Sequence, residues 1–363
     1  MLSNGGPPSS DQVLAVLAAI QDPDLGRDVV SLGMIKDLVI GGDGRVAFTF
    51  ELTTPACPVR DRFQTMAHKL VSDLPGVTAV DLKMTANVRS AFNRPNPNQV
   101  IPGVKQAIAI ASGKGGVGKS TVAINLACAL GLSGARVGLL DADIYGPSIP
   151  GMLGVQDTPK VVDQKLVPLQ AFGVKLMSIG FLAGADKAMV WRGPMVSRAI
   201  EQMLTDVLWG ELDYLLIDLP PGTGDASLTL AQAVPLAGVA IVCTPQAAAL
   251  NIAVKALQMF QGLNVSPLGL VENMSWFVCG RCSEQHFIFD HGGAERAALR
   301  LGVPYLGGIP LEKTIREDAD AGAPVVVSHP DTVGAKAFRD VASAVAARVS
   351  VQSFRRLPVI NVR

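Results

Sequence analysis

The sequence predicts an α/β protein: a mostly parallel sheet covered by helices on both faces, plus a small N-terminal α+β domain. Three observations carry that reading. After residue 104, short near-continuous apolar runs alternate with helical stretches, the pattern of parallel strands buried on both faces. Before residue 89 the pattern is instead a hairpin followed by a helix and one more strand. Between them, 89–104 has no period and holds three prolines, which marks a linker.

Taken in order, Asp11–Ile20 is a short helix, and Met34–Ile40 and Arg45–Leu52 are strands joined through Gly41-Gly42-Asp43-Gly44. A helix over Cys57–Leu74 and a strand over Val77–Thr85 complete domain 1–88. The second domain, 105–350, has strands at Ala107–Ser112, Arg136–Asp141, Val174–Ile179, Tyr214–Asp218, Val239–Thr244, Leu268–Glu272 and Tyr305–Gly308. Residues 351–363 read as a tail, with a proline that spoils a continuous helix.

With 31 basic and 31 acidic side chains in 363 residues, nothing electrostatic argues for nucleic acid as a partner. No run of 18 apolar residues appears, and MLSNGGPPSSDQ has neither a charged n-region nor an apolar h-region. The expectation is a cytoplasmic protein without a membrane anchor. Five cysteines are too few and too irregular for a disulfide scaffold.

The strongest motif is GKGGVGKS, Gly113–Ser120, set between the strand Ala107–Ser112 and a helix over Ser120–Leu130. It matches the phosphate-loop pattern G-x-x-x-x-G-K-[S/T] in the required strand–loop–helix context, which makes the larger domain a P-loop NTPase. Gly113, Lys114, Gly115, Gly116, Val117 and Gly118 wrap backbone N–H groups round the phosphates of ATP. Lys119 reaches the β- and γ-phosphates, and Ser120 holds Mg²⁺. Two carboxylate-bearing loops follow at strand ends, DADIYGPSIP with Asp141 and Asp143, and DLPPGTGD from Asp218 to Asp225. Asp218 suits Mg²⁺ through water and Asp143 suits placing the attacking water. Asp141 either assists the metal or closes its strand. Pro220, Pro221 and Gly222 stiffen a turn suited to sensing hydrolysis, and Asp225 is expected to cap the next helix.

Lys114, directly after the first glycine, resembles the early lysine of the deviant phosphate loop in the nitrogenase-iron-protein, septum-site and partition ATPases. That resemblance implies a nucleotide-sandwich homodimer in which this lysine reaches the partner's phosphates. Asn273, in VENMS, resembles the adenine-reading asparagine of the same group; a plain turn residue is the competing reading.

Cys279 and Cys282 form a single Cys-x-x-Cys. With His286 and His291 they give C-x₂-C-x₃-H-x₄-H, whose ligand types zinc accepts but whose spacing is shorter than the usual finger. If the early lysine implies a face-to-face pair, two copies bring four thiolates together, the ligand set of a [4Fe–4S] cluster. Cys128 and Cys243 sit in apolar stretches and read as core. The deviant loop, DADIYGPSIP, DLPPGTGD, ENMS and the Cys-x-x-Cys together resemble the Mrp/ApbC family of iron–sulfur cluster carrier ATPases, from about Ala107 into the 340s. The segment GRCSEQHFIFDHGG departs from the more glycine-rich run of many members. The N-terminal domain, through LTTPACP, resembles a domain of iron–sulfur assembly factors. Cys57 within it is either a metal or redox thiol, its pKa lowered by a helix N-terminus, or a small residue at a turn.

The resemblance implies a slow ATPase that carries a labile cluster and delivers it to apo iron–sulfur proteins, with scaffold or donor proteins as further partners. A positioning ATPase and a zinc or nickel insertion NTPase are the alternatives.

Overall fold

The computed structural model describes residues 6–91, 101–144, 146–183, 193–222, 224–282 and 284–355. Residues 92–100 of the expected linker lie outside them. The protein divides into two units, one formed by the residues up to Arg89 together with Ala346–Arg355, the other by Ser90–Val345.

In the smaller unit, helix α1 (Ser10–Leu17) starts at a capping box. The Ser9 hydroxyl accepts from the Gln12 N–H at 3.2 Å while the Gln12 side chain accepts from Ser9 N at 2.7 Å. Strands β1 (Ile35–Ile40) and β2 (Arg45–Leu52) pair antiparallel through the glycine turn, and alternation along β2 buries Val46, Phe48, Phe50 and Leu52. Helix α2 (Arg60–Ser72) begins three residues later than expected, after the turn through Cys57-Pro58-Val59, and leads to β3 (Ala79–Ala86), parallel to β2. Its Phe63 stacks on Phe50 at 5.4 Å in a core shared with Val13, Leu17, Ala67 and Val71. Of the tail expected over 351–363, Val351–Arg355 instead continue the last helix, with Val351 buried and Phe354 packed on this core, and 356–363 lie outside the described residues.

The larger unit carries an eight-stranded sheet. Its strands are β4 (Val104–Ser112), β5 (Val137–Asp141), β6 (Leu169–Ala171), β7 (Val174–Ser178), β8 (Leu212–Asp218), β9 (Gly238–Cys243), β10 (Pro267–Asn273) and β11 (Tyr305–Ile309). The order is β6–β7–β5–β8–β4–β9–β10–β11, parallel except for the edge strand β6. β6 escapes a sequence reading because it spans three residues before a turn in which Phe172 and Gly173 are both left-handed. The connections place β5 on one side of β4 and β9 on the other, so the carboxyl end of β4 borders a topological switch point. Helix α3 (Lys119–Leu132) leaves β4 there, carrying a fully apolar middle from Val122 to Leu130 apart from Asn125. Helices α4 (Asp225–Ala233), α5 (Ala247–Gly262) and α6 (Gly293–Leu301) follow β8, β9 and β10.

At the amino end of β8, Asp213 gathers Lys105 Nζ at 2.9 Å, Arg136 N at 2.9 Å and an Arg136 guanidinium nitrogen at 3.2 Å. Burial pushes its carboxyl up, but the Arg136 and Lys105 donors outweigh that and hold it below the ordinary value. Its contribution to stability is present above the unfolded carboxyl value near 4 and is lost as pH falls through the lower folded value. Asp213→Ala is expected to cost about 2 kcal/mol, less than a fully buried pair because Arg136 is half in solvent. Urea titrations at pH 7 and pH 3 check this, since the difference between wild type and variant should shrink in acid.

Candidate functional site

Gly113–Lys119 follow β4 and turn into α3. A Cβ at Gly113 would lie 2.6 Å from the Ile252 backbone, and one at left-handed Gly118 would lie 2.3 Å from Asn273 Nδ2. Packing against backbone requires glycine at 113, and the left-handed backbone favours it at 118. At Gly115 and Gly116 nothing lies within 4 Å of an added Cβ. Both glycines are exposed, so this side of the loop is open to an anion near the helix N-terminus. Ser112 Oγ donates to the Lys114 carbonyl at 3.0 Å and steadies the start of the loop.

Lys119 is nearly buried, with Nζ 2.7 Å from Asp218 Oδ1 and 3.7 Å from Asp143 Oδ2. Ser120 Oγ donates to the other oxygen of Asp218 at 2.6 Å. One fully buried carboxylate thus engages both the lysine and the hydroxyl. Burial pushes the Asp218 carboxyl up, opposed by Lys119 and then Ser120. Asp141, equally buried, is pushed up to about 7 by burial and by the Asp218 charge. Its oxygens accept from Ser178 Oγ at 2.9 Å, Asp143 N at 3.2 Å and Ile149 N at 3.4 Å. These donors shape the loop that sets Asp143 beside Lys119, and they favour the strand-closing reading of Asp141. Ser178 carries no local signal in the sequence, being 37 positions from the carboxylate that it meets.

Gly222 N donates to the Ser112 carbonyl at 2.9 Å, and Ser227 Oγ to the Pro220 carbonyl at 3.1 Å, so the Pro220–Gly222 turn lies against the base of the phosphate loop. The cap position of α4 belongs to Gly224, not Asp225, which is the first helical residue and whose side chain lies outside the described residues. Lys114 is partly exposed, and among the described residues no carboxylate pairs with it. Asn273 is buried, and its Nδ2 donates to the Val117 carbonyl at 2.8 Å, so this side chain holds the phosphate loop.

Cys279 and Cys282 occupy the turn between two short strands, Phe277–Val278 and Gln285–His286, closed by Cys279 N donating to the Glu284 carbonyl at 2.9 Å. Cys282 is exposed and Cys279 partly so. Hydrogen bonds from the Arg281 and Cys282 N–H groups, then from the Cys282 thiol, hold the Cys279 thiol below its usual value. Among the described residues no three His, Cys, Asp or Glu side chains gather as metal donors. The ribbon register sets His286 opposite Phe277, and the His291 ring lies 4.0 Å from that of Phe287. Cys128 and Cys243 are core residues whose thiols burial pushes up to about 12.

Cys57 departs from the low-pKa expectation. Burial pushes its thiol up to about 11, with Asp22 and Asp24 adding to the effect and the Val59 N–H too weak to offset it. At pH 8 such a thiol is ionised on the order of one part in a thousand, roughly a hundredfold less than an ordinary thiol. Iodoacetamide is therefore expected to modify Cys57 at least about tenfold more slowly than Cys279, which peptide mass mapping over time would check.

No described helix is long and apolar enough to cross a membrane. Residues 103–346 match the sequence model of the family described as NUBPL iron-transfer P-loop NTPase, and residues 10–82 match that of an iron-sulfur cluster assembly protein. An iron-sulfur cluster carrier protein of Synechocystis sp. is 48% identical over 351 residues, covering 94% of this protein and 98% of its own length. Among solved structures, a nucleotide-binding protein in complex with ADP from Archaeoglobus fulgidus is 38% identical with a TM-score of 0.55, over 63% of this protein and 92% of its own length. The cell division ATPase MinD of Pyrococcus furiosus is 26% identical with a TM-score of 0.51, over 66% and 97%.

Proposed function

The protein belongs to the NUBPL iron-transfer P-loop NTPase family, and on that premise we propose that it is an ATP-hydrolysing carrier of a [4Fe–4S] cluster. Two copies hold the cluster between them and hand it to apo iron–sulfur proteins in the cytoplasm, after receiving it from scaffold or donor proteins. The observation that carries this reading is the cysteine ribbon. It presents two thiols at an accessible turn, and the described residues supply no third donor. A four-thiolate site is then incomplete without a second copy.

In the nucleotide site, Lys119 exchanges Asp218 for the β- and γ-phosphates, and the Gly115–Gly116 N–H groups receive phosphate oxygens. The donor set fits Mg²⁺: Ser120 and Asp218 would hold it, and it would supply positive charge against that developing on the phosphates. Asp143, beside Lys119, orients the attacking water, while Asp141 keeps the Asp143 loop in place. Lys114, paired with no described carboxylate, serves the phosphates of the facing copy. Asn273 reads adenine with the part of its amide not committed to Val117. Hydrolysis demands little covalent chemistry here, since positioning and charge neutralisation do most of the work.

Anaerobic reconstitution with iron and sulfide tests the carrier half of the reading. The expected result is brown protein with a visible thiolate-to-iron band, eluting as a dimer whose cluster retention changes with MgATP. Colourless protein that still hydrolyses ATP would remove the carrier half and leave a nucleotide-driven positioning role.

A further inference from the structure

Strand β10 ends in a buried carboxylate that the nucleotide chemistry does not use. Glu272 is fully buried, and its two oxygens accept from Ser275 Oγ at 2.5 Å and from Ala294 N at 2.6 Å. Those donors stand at the two ends of one excursion. The backbone leaves the sheet at left-handed Met274, runs out through the cysteine ribbon, and returns at the first turn of α6. A carboxylate at a helix N-terminus is favourably placed, and its second oxygen is free to pin the departing strand. The base is held further by Ser275 N donating to the Ile309 carbonyl at 2.9 Å and Leu311 N to that of Trp276 at 2.6 Å. Tyr305, whose hydroxyl meets Ser275, packs on the same junction.

The next residue is Asn273. Consecutive strand residues point to opposite faces. On one face Asn273 holds the Val117 carbonyl of the phosphate loop, and on the other Glu272 holds both ends of the cysteine excursion. A nucleotide-driven shift of the loop at Val117 would act on Asn273 through this bond, and the strand end would pass it to Glu272. We propose that the Glu272–Asn273 pair couples the phosphate loop to the cysteine ribbon, with Glu272 as the positioning residue for the two thiols. This deepens the carrier reading and rests on it for its purpose, but the coupling itself can be measured without a cluster.

The test is the iodoacetamide modification rate of Cys279 and Cys282 in the cluster-free full-length protein, with and without MgATP. In wild type, MgATP is expected to change that rate by at least about fivefold, the lower range of measured couplings. In Glu272→Gln the change should fall below about twofold, with MgATP affinity kept within about threefold. Ser275→Ala, which leaves Ala294 bonded and disturbs the fold less, should weaken the response in the same direction. The inference is overturned by equal rates with and without MgATP in wild type, by an undiminished response in both variants, or by loss of MgATP affinity in Glu272→Gln. A protein that never retains iron yet shows the wild-type response keeps the coupling and loses the carrier reading.

Discussion

Replacing Lys119 by alanine is expected to lower ATP turnover by about a hundredfold or more, the scale of removing one preorganised charge-stabilising donor. Two consequences combine. The β- and γ-phosphates lose their buried cation, and Asp218 loses the ammonium at 2.7 Å that opposes the effect of burial on its carboxyl. Deprived of that partner, Asp218 is pushed further toward its neutral form and becomes a poorer support for Mg²⁺. Melting temperature should fall as well, because Lys119 is one partner of a buried pair. A coupled ATPase assay on Lys119→Ala, alongside its thermal melt, checks both; unchanged turnover would refute the site assignment.

The second large effect concerns the ribbon. Cys279→Ala or Cys282→Ala should each reduce iron retained after anaerobic reconstitution by at least about tenfold. In a two-copy site each substitution removes two of four thiolates at once. Both positions are accessible turn residues outside the core clusters, so the melt should stay close to wild type. ATP binding should be unchanged when cluster-free wild type and variant are compared. Cys128→Ala makes a contrast, because that thiol is buried on α3: its loss should lower stability while iron retention stays.

What could be read in advance followed the range of the interactions involved. The phosphate loop was legible because strand, glycines, lysine and helix are contiguous; that Lys119 and Ser120 both bond to Asp218 was not. The parallel strands were legible because burial on both faces makes each an apolar run. β6 was not, since three residues before a left-handed turn leave no pattern to detect. Contacts between distant residues were likewise out of reach. Ser178 meets Asp141 across 37 positions, and Ala294 meets Glu272 across 22. The lowered-pKa reading of Cys57 failed for a related reason. The expectation weighed a neighbouring helix start, whereas its thiol is governed by burial, which is a tertiary property, and by Asp22 and Asp24 from an earlier turn. The ribbon register, which pairs His286 with Phe277, was likewise not legible.

The central claim is that the thiols of two copies share one cluster. Native mass spectrometry of the iron-loaded protein, run beside Mössbauer spectra of the same sample, tests it most directly. The account predicts two polypeptides holding four irons and four sulfides, with spectra of a single [4Fe–4S] species. A fully coordinated cluster on one polypeptide would contradict it.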